Sequence, residues 1–405
     1  GFPTTAAPPS ATGPVPDGSF TIQPYGILHL AASYVLGNSS NNPDLPQWAV
    51  QGPSALYLLA RQTRFGVRGS WDMPPSALHA QKAWWLVESD LYGGFAGQGV
   101  GYFAPIPRLR LATATLEWTS MRFSFGQDWA LLAPLIPDAA LHLAVPGFTA
   151  SGNLWARLPQ LRLDGVVGFA GAPGKPTWRL FWAAAIVASV QADAIPTAQS
   201  GFATVRIPQG GERSLLPAGE ARVAVAHDLF DRSLEIGVSG HLGDRKIAFV
   251  GGTTRRGNGA VALDVTLPLP GKLAAKGEVF WGKGLDAFFG GIGQGIAHTS
   301  DAAGNITSIG DSIAAFGGWG QASWLALEWL TLYAGAGADH PSRDDLLDVN
   351  AVANRTLNVS FYGAVATELA RGIAFWLEYD LLHTDFQAAP AVQTHVLSVT
   401  GKLTF

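Results

Sequence analysis

The sequence predicts an all-β protein, a transmembrane antiparallel β-barrel of about sixteen strands, and three observations carry that prediction. The chain has 405 residues, 48% of them hydrophobic and only 14% charged, where ordinary soluble domains carry roughly 25% charge. Its mean hydropathy is +0.18, yet the longest apolar stretch, 180–188, stops at Ser189. A helical span needs about 18 apolar residues in a row. From Ser19 onward, apolar and polar residues alternate with a period of two, the period of a strand and not of a helix. An oily composition dispersed in alternation suits strands with lipid on one face and water on the other.

The same figures exclude other classes. With 26 Lys+Arg against 30 Asp+Glu and a net charge of −4, there is no basic excess for a nucleic acid. There is no cysteine for a disulfide scaffold, and the apolar content is too high for disorder. No catalytic constellation or cofactor site is legible. The run Gly290–Gly295 lacks the strand–helix context and the Lys-Ser/Thr of a phosphate loop. Gly237-Val238-Ser239-Gly240-His241 carries His where a nucleophile elbow needs Gly. No enzyme is expected.

Taken in order, residues 1–19 hold Pro3, Pro8, Pro9, Pro14 and Pro16. They read as an extended N-terminal extension, either a solvated tail or a spacer towards a periplasmic or surface partner. The start has no basic and apolar leader, so a mature form with its signal removed is expected. The barrel occupies 20–405. Its expected strands are 20–36, 54–70, 79–96, 107–118, 120–130, 157–169, 177–191 and 218–228, then 232–242, 258–268, 271–284, 311–325, 328–340, 354–369, 371–386 and 393–405. The last is the clearest: His395, Leu397, Val399, Leu403 and Phe405 alternate with Ser398, Thr400, Lys402 and Thr404. An even strand number lets an antiparallel barrel close. The connectors alternate between short and long, the long ones being 37–53, 97–106, 131–156, 192–217, 243–257, 285–310, 341–353 and 387–392. Short periplasmic turns and long outer loops show that asymmetry; the 243–257 connector, with Ile247-Ala248-Phe249-Val250 inside it, is the least regular.

These features resemble the sixteen-stranded outer-membrane porins of Gram-negative bacteria. The resemblance rests on the opening Tyr25-Gly26-Ile27-Leu28-His29-Leu30, on Arg61-Gln62-Thr63-Arg64-Phe65-Gly66 in the second strand, on the terminal Phe405 and on the long connector between strands five and six. It implies that 131–156 folds inward as a constriction loop and that Phe405 is part of the signal read by the barrel assembly machinery. It also implies a homotrimer in the bacterial outer membrane, among lipid and lipopolysaccharide, that passes small hydrophilic solutes.

Alternation gives the candidate lumen residues. The inward face of strand two carries Gln62, Arg64, Gly66 and Arg68; strand four offers Arg108 and Arg110, strand five Arg122 and Asp128, strand six Gln160 and Arg162. A lipid-facing Arg at mid-depth costs roughly 2–4 kcal/mol, which favours the inward reading and a basic wall across neighbouring strands. Arg61 breaks the scheme, because it shares parity with Leu59, Phe65 and Val67. It sits at headgroup level, or a bulge shifts the register. Glu88 and Asp90 on strand three are expected inward. Asp138 is the only acid in 131–156, and by the porin resemblance it faces the arginines. A basic constriction with a mild preference for anionic or polar solutes follows. Trp71, Trp118, Trp129, Trp319, Trp329 and Tyr379 are expected at the membrane interfaces. Asp339, Asp344, Asp345 and Asp348 form a weak Ca²⁺ candidate in an outer loop, against a solvated acidic tip. The functional readings are a passive diffusion pore and a barrel with a blocked lumen serving as scaffold or interaction surface; a soluble all-β protein is the outlying third.

Overall fold

A computed structural model describes residues 20–37, 44–73, 79–93, 105–172, 175–189, 209–301, 305–350 and 352–405. The proline-rich extension 1–19 lies outside them, as do the expected strand ends 94–96 and 190–191. The chain forms sixteen barrel strands. The first eight are β1 (Phe20–Leu36), β2 (Ala55–Leu59 and Arg64–Asp72, one strand broken by a bulge), β3 (Lys82–Asp90), β4 (Arg108–Glu117), β5 (Met121–Trp129), β6 (Arg157–Ala172), β7 (Lys175–Val187) and β8 (Ala218–Leu229). The second eight are β9 (Arg232–Phe249), β10 (Gly252–Leu269), β11 (Leu273–Lys283), β12 (Ala314–Leu327), β13 (Leu330–Pro341), β14 (Arg355–Ala370), β15 (Ile373–Phe386) and β16 (Val392–Thr404). Each pairs with the next, and β16 pairs back onto β1 from Ile27↔Thr404 to Leu36↔His395. No strand edge is left open in the wall, which is what a bilayer demands of a sheet. Phe405 completes the seam: its N–H and C=O exchange hydrogen bonds with Gly26 at 3.1 and 3.0 Å. Its ring lies over Gly26, where a Cβ would come within 2.6 Å of it.

The barrel is oily outside and polar inside. Val238, Leu263 and Val279 stand side by side across β9, β10 and β11, and all three are exposed. Their chain neighbours Ser239, Asp264 and Glu278 are buried in the interior. Water-soluble folds show the reverse. Trp71, Trp329 and Tyr379 sit on this exterior as expected, half-exposed. Trp129 and Trp319 do not: Trp319 is 4% exposed and stacks on Phe148, while Trp129 packs edge-on to Trp155. Position near a strand end does not tell whether an indole points to lipid or into the barrel, and these two point inward.

A bulge resolves the Arg61 anomaly. Ala31 pairs with Leu59 and Ile27 with Arg64, so β2 carries one residue more than β1 over this stretch. One extra residue reverses every side chain beyond it. Leu56 and Leu58 face lipid before the bulge, Phe65 and Val67 after it. Leu59, expected on the lipid side, is therefore on the other face, and Arg61 is buried against Asp44.

The long loop expected at 243–257 is instead a tight turn. β9 and β10 pair without interruption from Glu235↔Thr266 to Phe249↔Gly252. Asp244, Arg245, Lys246, Arg255 and Arg256 make this stretch polar on both faces, so alternation vanishes where the hairpin rises above the hydrocarbon while strand pairing persists. The expected loop 285–310 holds a short turn, Asp286–Phe288, and a separate hairpin of Ile296–Ser300 with Ile306–Ser312.

Because the exterior faces lipid, Leu263→Arg at mid-strand should destabilise the barrel by about 2–4 kcal/mol, read as a shifted urea midpoint for unfolding from phospholipid vesicles. An unshifted midpoint would mean that this face is not lipid-exposed.

Candidate functional site

The lumen is occupied by the segment 131–156, which leaves β5 and returns to β6. It has few polar side chains, and its leucines, alanines and prolines supply the barrel's interior core. Leu131, Leu132 and Leu154 pack with Ala260, Ala262 and Phe280. Leu141 and Val145 pack with Val35 and Leu382, and Phe148 packs with Trp319 and Tyr362.

A loop inside a barrel has an irregular backbone whose N–H and C=O groups cannot be left dry. The wall supplies their partners in sequence around the lumen. The N–H of Leu131 donates to Glu220 at 2.6 Å, that of Ala133 to Ser239 at 3.1 Å and that of Leu135 to Glu278 at 2.7 Å. Asp138 N–H donates to Gln321, and Ala140 and Leu141 donate to the two oxygens of Glu378 at 2.9 and 2.8 Å. Ala144 donates to Gln62 at 2.8 Å. The loop carbonyls accept in turn from Lys276 (Ile136), Arg64 (Leu143), Arg108 (Ala144) and Asn358 (Ala150). At the far end Gly152 has φ +104°, and a Cβ there would fall 2.1 Å from the Gly318 carbonyl, so the loop seats against β12.

The sequence-predicted residues separate into three groups. The first lies on β2, β3 and β4. Arg110 reaches Glu88 at 2.7 Å and Asp90 at 2.9 Å. Arg108 reaches Asp90 at 2.7 Å, and Arg64 lies 3.6 Å from Glu88. Glu88 and Asp90, expected inward, stand among these arginines, because β3 lies between β2 and β4 in the sheet. Gln62 is spent on the loop backbone. The second group is lower on β5 and β6: Arg162 pairs with Asp164 at 2.5 Å, and Arg122 lies in register with Asp164 on one side and Glu117 on the other. Asp128 is half-buried at the top of β5 and accepts the N–H of Trp129 at 2.8 Å. Arg68, the third, lies towards the β2 end near Tyr25 and bonds Gln23 at 3.0 and 2.6 Å. The wall is therefore not one continuous basic strip.

Asp138 does not face the arginines. It pairs with Lys276 on β11 at 2.8 Å, because the loop has already crossed the lumen at that point. The Ca²⁺ candidate also dissolves. Asp339 is buried on β13 and accepts the N–H of Ile292, and Asp345 accepts that of Ala314. Asp344 is exposed, and the Asp348 side chain lies outside the description. Among the described residues no three acidic or histidine side chains converge as a metal site.

Sequence reasoning missed Arg157. By parity with Pro159 and Leu161 it should face lipid. However, the β4–β5 ladder ends at Ala112↔Gln127 and the β6–β7 ladder at Gln160↔Val187, while β5–β6 continues to Trp129↔Arg157. The tip of that hairpin has left the wall and bent inward, so both its faces are interior. Arg157 lies 4.9 Å from the Trp129 ring and 5.2 Å from the Trp155 ring, and Arg110 is 6.0 Å from the same Trp129 ring. His142, on the loop itself, was missed too. Its Nε2 is 3.4 Å from Asp380. Burial opposes its charged form, but the Asp380 and Glu378 carboxylates outweigh burial and hold the imidazole above its ordinary value.

No family model matches the chain, and no curated protein matches it. Solved structures do. The outer membrane channel DcaP of Acinetobacter baumannii superposes with a TM-score of 0.71, over 95% of this chain and 97% of that one, at 16% identity. The trimer form of OmpT, an outer membrane protein of Vibrio cholerae, gives 0.53 over 96% and 100% at 12% identity. OmpF of Salmonella typhi in complex with daunomycin gives 0.56 over 94% and 97% at 10% identity. At such identities the likeness is one of fold: the chain has the closed sixteen-strand barrel of bacterial outer-membrane channels.

Glu378→Ala leaves the Ala140 and Leu141 N–H groups and the Tyr362 hydroxyl without their acceptor. It should cost about 3 kcal/mol, measured as a lower midpoint for the heat-induced gel-mobility shift of the folded barrel. The His142–Asp380 pair carries a pH signature. Since the folded-state value is raised, its contribution is complete below about pH 6.5, the ordinary histidine value, and is lost as pH climbs through the raised value. Loop noise in single-channel records should therefore grow with alkalinity, and His142→Gln should be noisy at every pH; pH-independent noise in the unaltered protein would refute the coupling.

Proposed function

We propose that this chain is a channel of the bacterial outer membrane through which small hydrophilic solutes and ions diffuse passively, with a preference for anions and no catalysed chemistry. The observation that carries the proposal is the charge arrangement beside the loop: among the described residues, Arg64, Arg108, Arg110 and Arg157 gather about two carboxylates, Glu88 and Asp90. A lumen narrowed by a pinned loop and lined on one side by surplus guanidinium favours anions, since selectivity follows the fixed charges at the constriction. The loop's backbone bonds keep the constriction at a fixed size. The fold shared with outer-membrane channels supports the membrane and the transport class.

We propose a homotrimer in a lipopolysaccharide-bearing membrane, by analogy with the trimeric OmpT form, and a role for Phe405 in barrel assembly, since it closes the seam. The extension 1–19 is proposed as the contact with a periplasmic or surface partner.

A second reading has its own support. The loop's side chains fill much of the interior, with Leu132, Leu141 and Leu154 all at or below 2% exposure, as in a blocked barrel that serves as a scaffold. Conductance decides. In planar bilayers the channel reading expects discrete current steps and, under a KCl gradient, a reversal potential on the anion side. Replacing Arg64 and Arg110 together by Ala should shift that potential towards cations. Absence of steps would favour the scaffold, and steps with an unshifted potential would remove the basic wall.

A further inference from the structure

Arg157 differs from the three arginines of the paired cluster. Arg110, Arg108 and Arg64 each have a carboxylate within 4 Å. Arg157 makes no ion pair among the described residues, and its Nη1 is buried without a hydrogen-bond partner. Two indoles flank it instead. Guanidinium cannot shed its proton in a protein, and cation–π contacts with aromatic rings offset only part of a lost hydration shell. The nearby charges make matters worse: Arg110, Arg108 and Arg64 repel it, with Asp90 as the main opposing charge. A built-in cation with an unmet donor, part-exposed beside the inward loop, lacks one component, an anion. We propose that Arg157 is a transit binding site for small organic carboxylates, held between Trp129 and Trp155 for that purpose.

The chemistry selects the class. A carboxylate has two oxygens in one plane, matching the parallel N–H pair of a guanidinium fork. A spherical halide meets the charge but only one edge of the fork. The flanking indoles hold the Arg157 side chain in place, so little rotamer freedom is lost on binding. Trp129, the less buried of the two, also presents apolar surface to the organic part of the solute. The Trp155 ring is itself fixed, stacked on Phe289 at 4.9 Å and donating from Nε1 to Thr149 at 2.7 Å. The site exists only because the β5–β6 tip leaves the wall.

This inference deepens the channel reading and rests on its anion preference, but the two can fail separately. The probe is benzoate. Calorimetric titration into detergent-solubilised protein tests the site without requiring conduction, and benzoate reduction of single-channel chloride current tests it in the pore. Arg157→Gln should weaken benzoate binding roughly tenfold or more and relieve the current reduction. Arg157→Lys, which keeps the charge and loses the fork, should recover part of chloride preference but little benzoate affinity. Lys272→Gln, in the exposed turn between β10 and β11, should change neither, and the heat-modifiable gel shift reports that each variant is folded. If benzoate binds the unaltered protein and Arg157→Gln equally, or binds neither, the site is wrong even where anion-selective steps are seen. If binding depends on Arg157 but no steps appear, the site stands and the channel reading falls.

Discussion

The structure depends on one constraint: a polypeptide backbone placed inside a barrel must have its N–H and C=O groups met there. Segment 131–156 brings an apolar set of side chains and an irregular backbone into the lumen, and the wall answers with Glu220, Ser239, Glu278, Gln321, Glu378 and Gln62 as acceptors. Carboxylates accept such bonds without competing as donors, and charge-assisted bonds are the stronger kind. This explains acids on strands where a pore of simple design would have none. It also makes the loop part of the fold, since its leucines form the interior core that a wide barrel otherwise lacks.

That use of charge shapes the electrostatics of the lumen. Glu220, Glu278 and Glu378 are committed to the loop, so they contribute less to a field across the opening than their number suggests. On the other side Glu88 and Asp90 are interleaved with Arg64, Arg108 and Arg110. Arg157, beside the loop's return to β6, has no ion-pair partner among the described residues and leaves its Nη1 unmet. A count of charges by strand parity would place a uniform basic strip from Arg68 to Arg162. The arrangement is instead a paired cluster, a lower paired group and one cation between indoles.

Much of this was legible. The alternation that sets Val238, Leu263 and Val279 against Ser239, Asp264 and Glu278 follows from lipid and water on opposite faces, and it set the strand number and the short and long connectors. Gln62, Arg64, Glu88, Asp90 and Arg110 were placed on the inner face by the same rule. It failed where a strand stops obeying the bilayer. Above the hydrocarbon β9 and β10 carry polar residues on both faces, Arg245 on the buried one and Asp244 and Lys246 on the other, so their pairing through 243–257 left no alternating signal. At Arg61 one inserted residue reversed the parity. At Arg157 the hairpin tip left the sheet, and parity no longer meant inside or outside.

The sequence by itself determined the solvent of each strand face, and with it the class of fold, because burying alternate residues in hydrocarbon is a local requirement repeated along every strand. Only the tertiary structure decided which polar group meets which. Those pairings join residues far apart in the chain, such as Leu135 with Glu278 or Asp138 with Lys276, and they depend on the path the inward loop takes across the lumen. No local pattern encodes that path, since it follows from closure of the barrel around the loop.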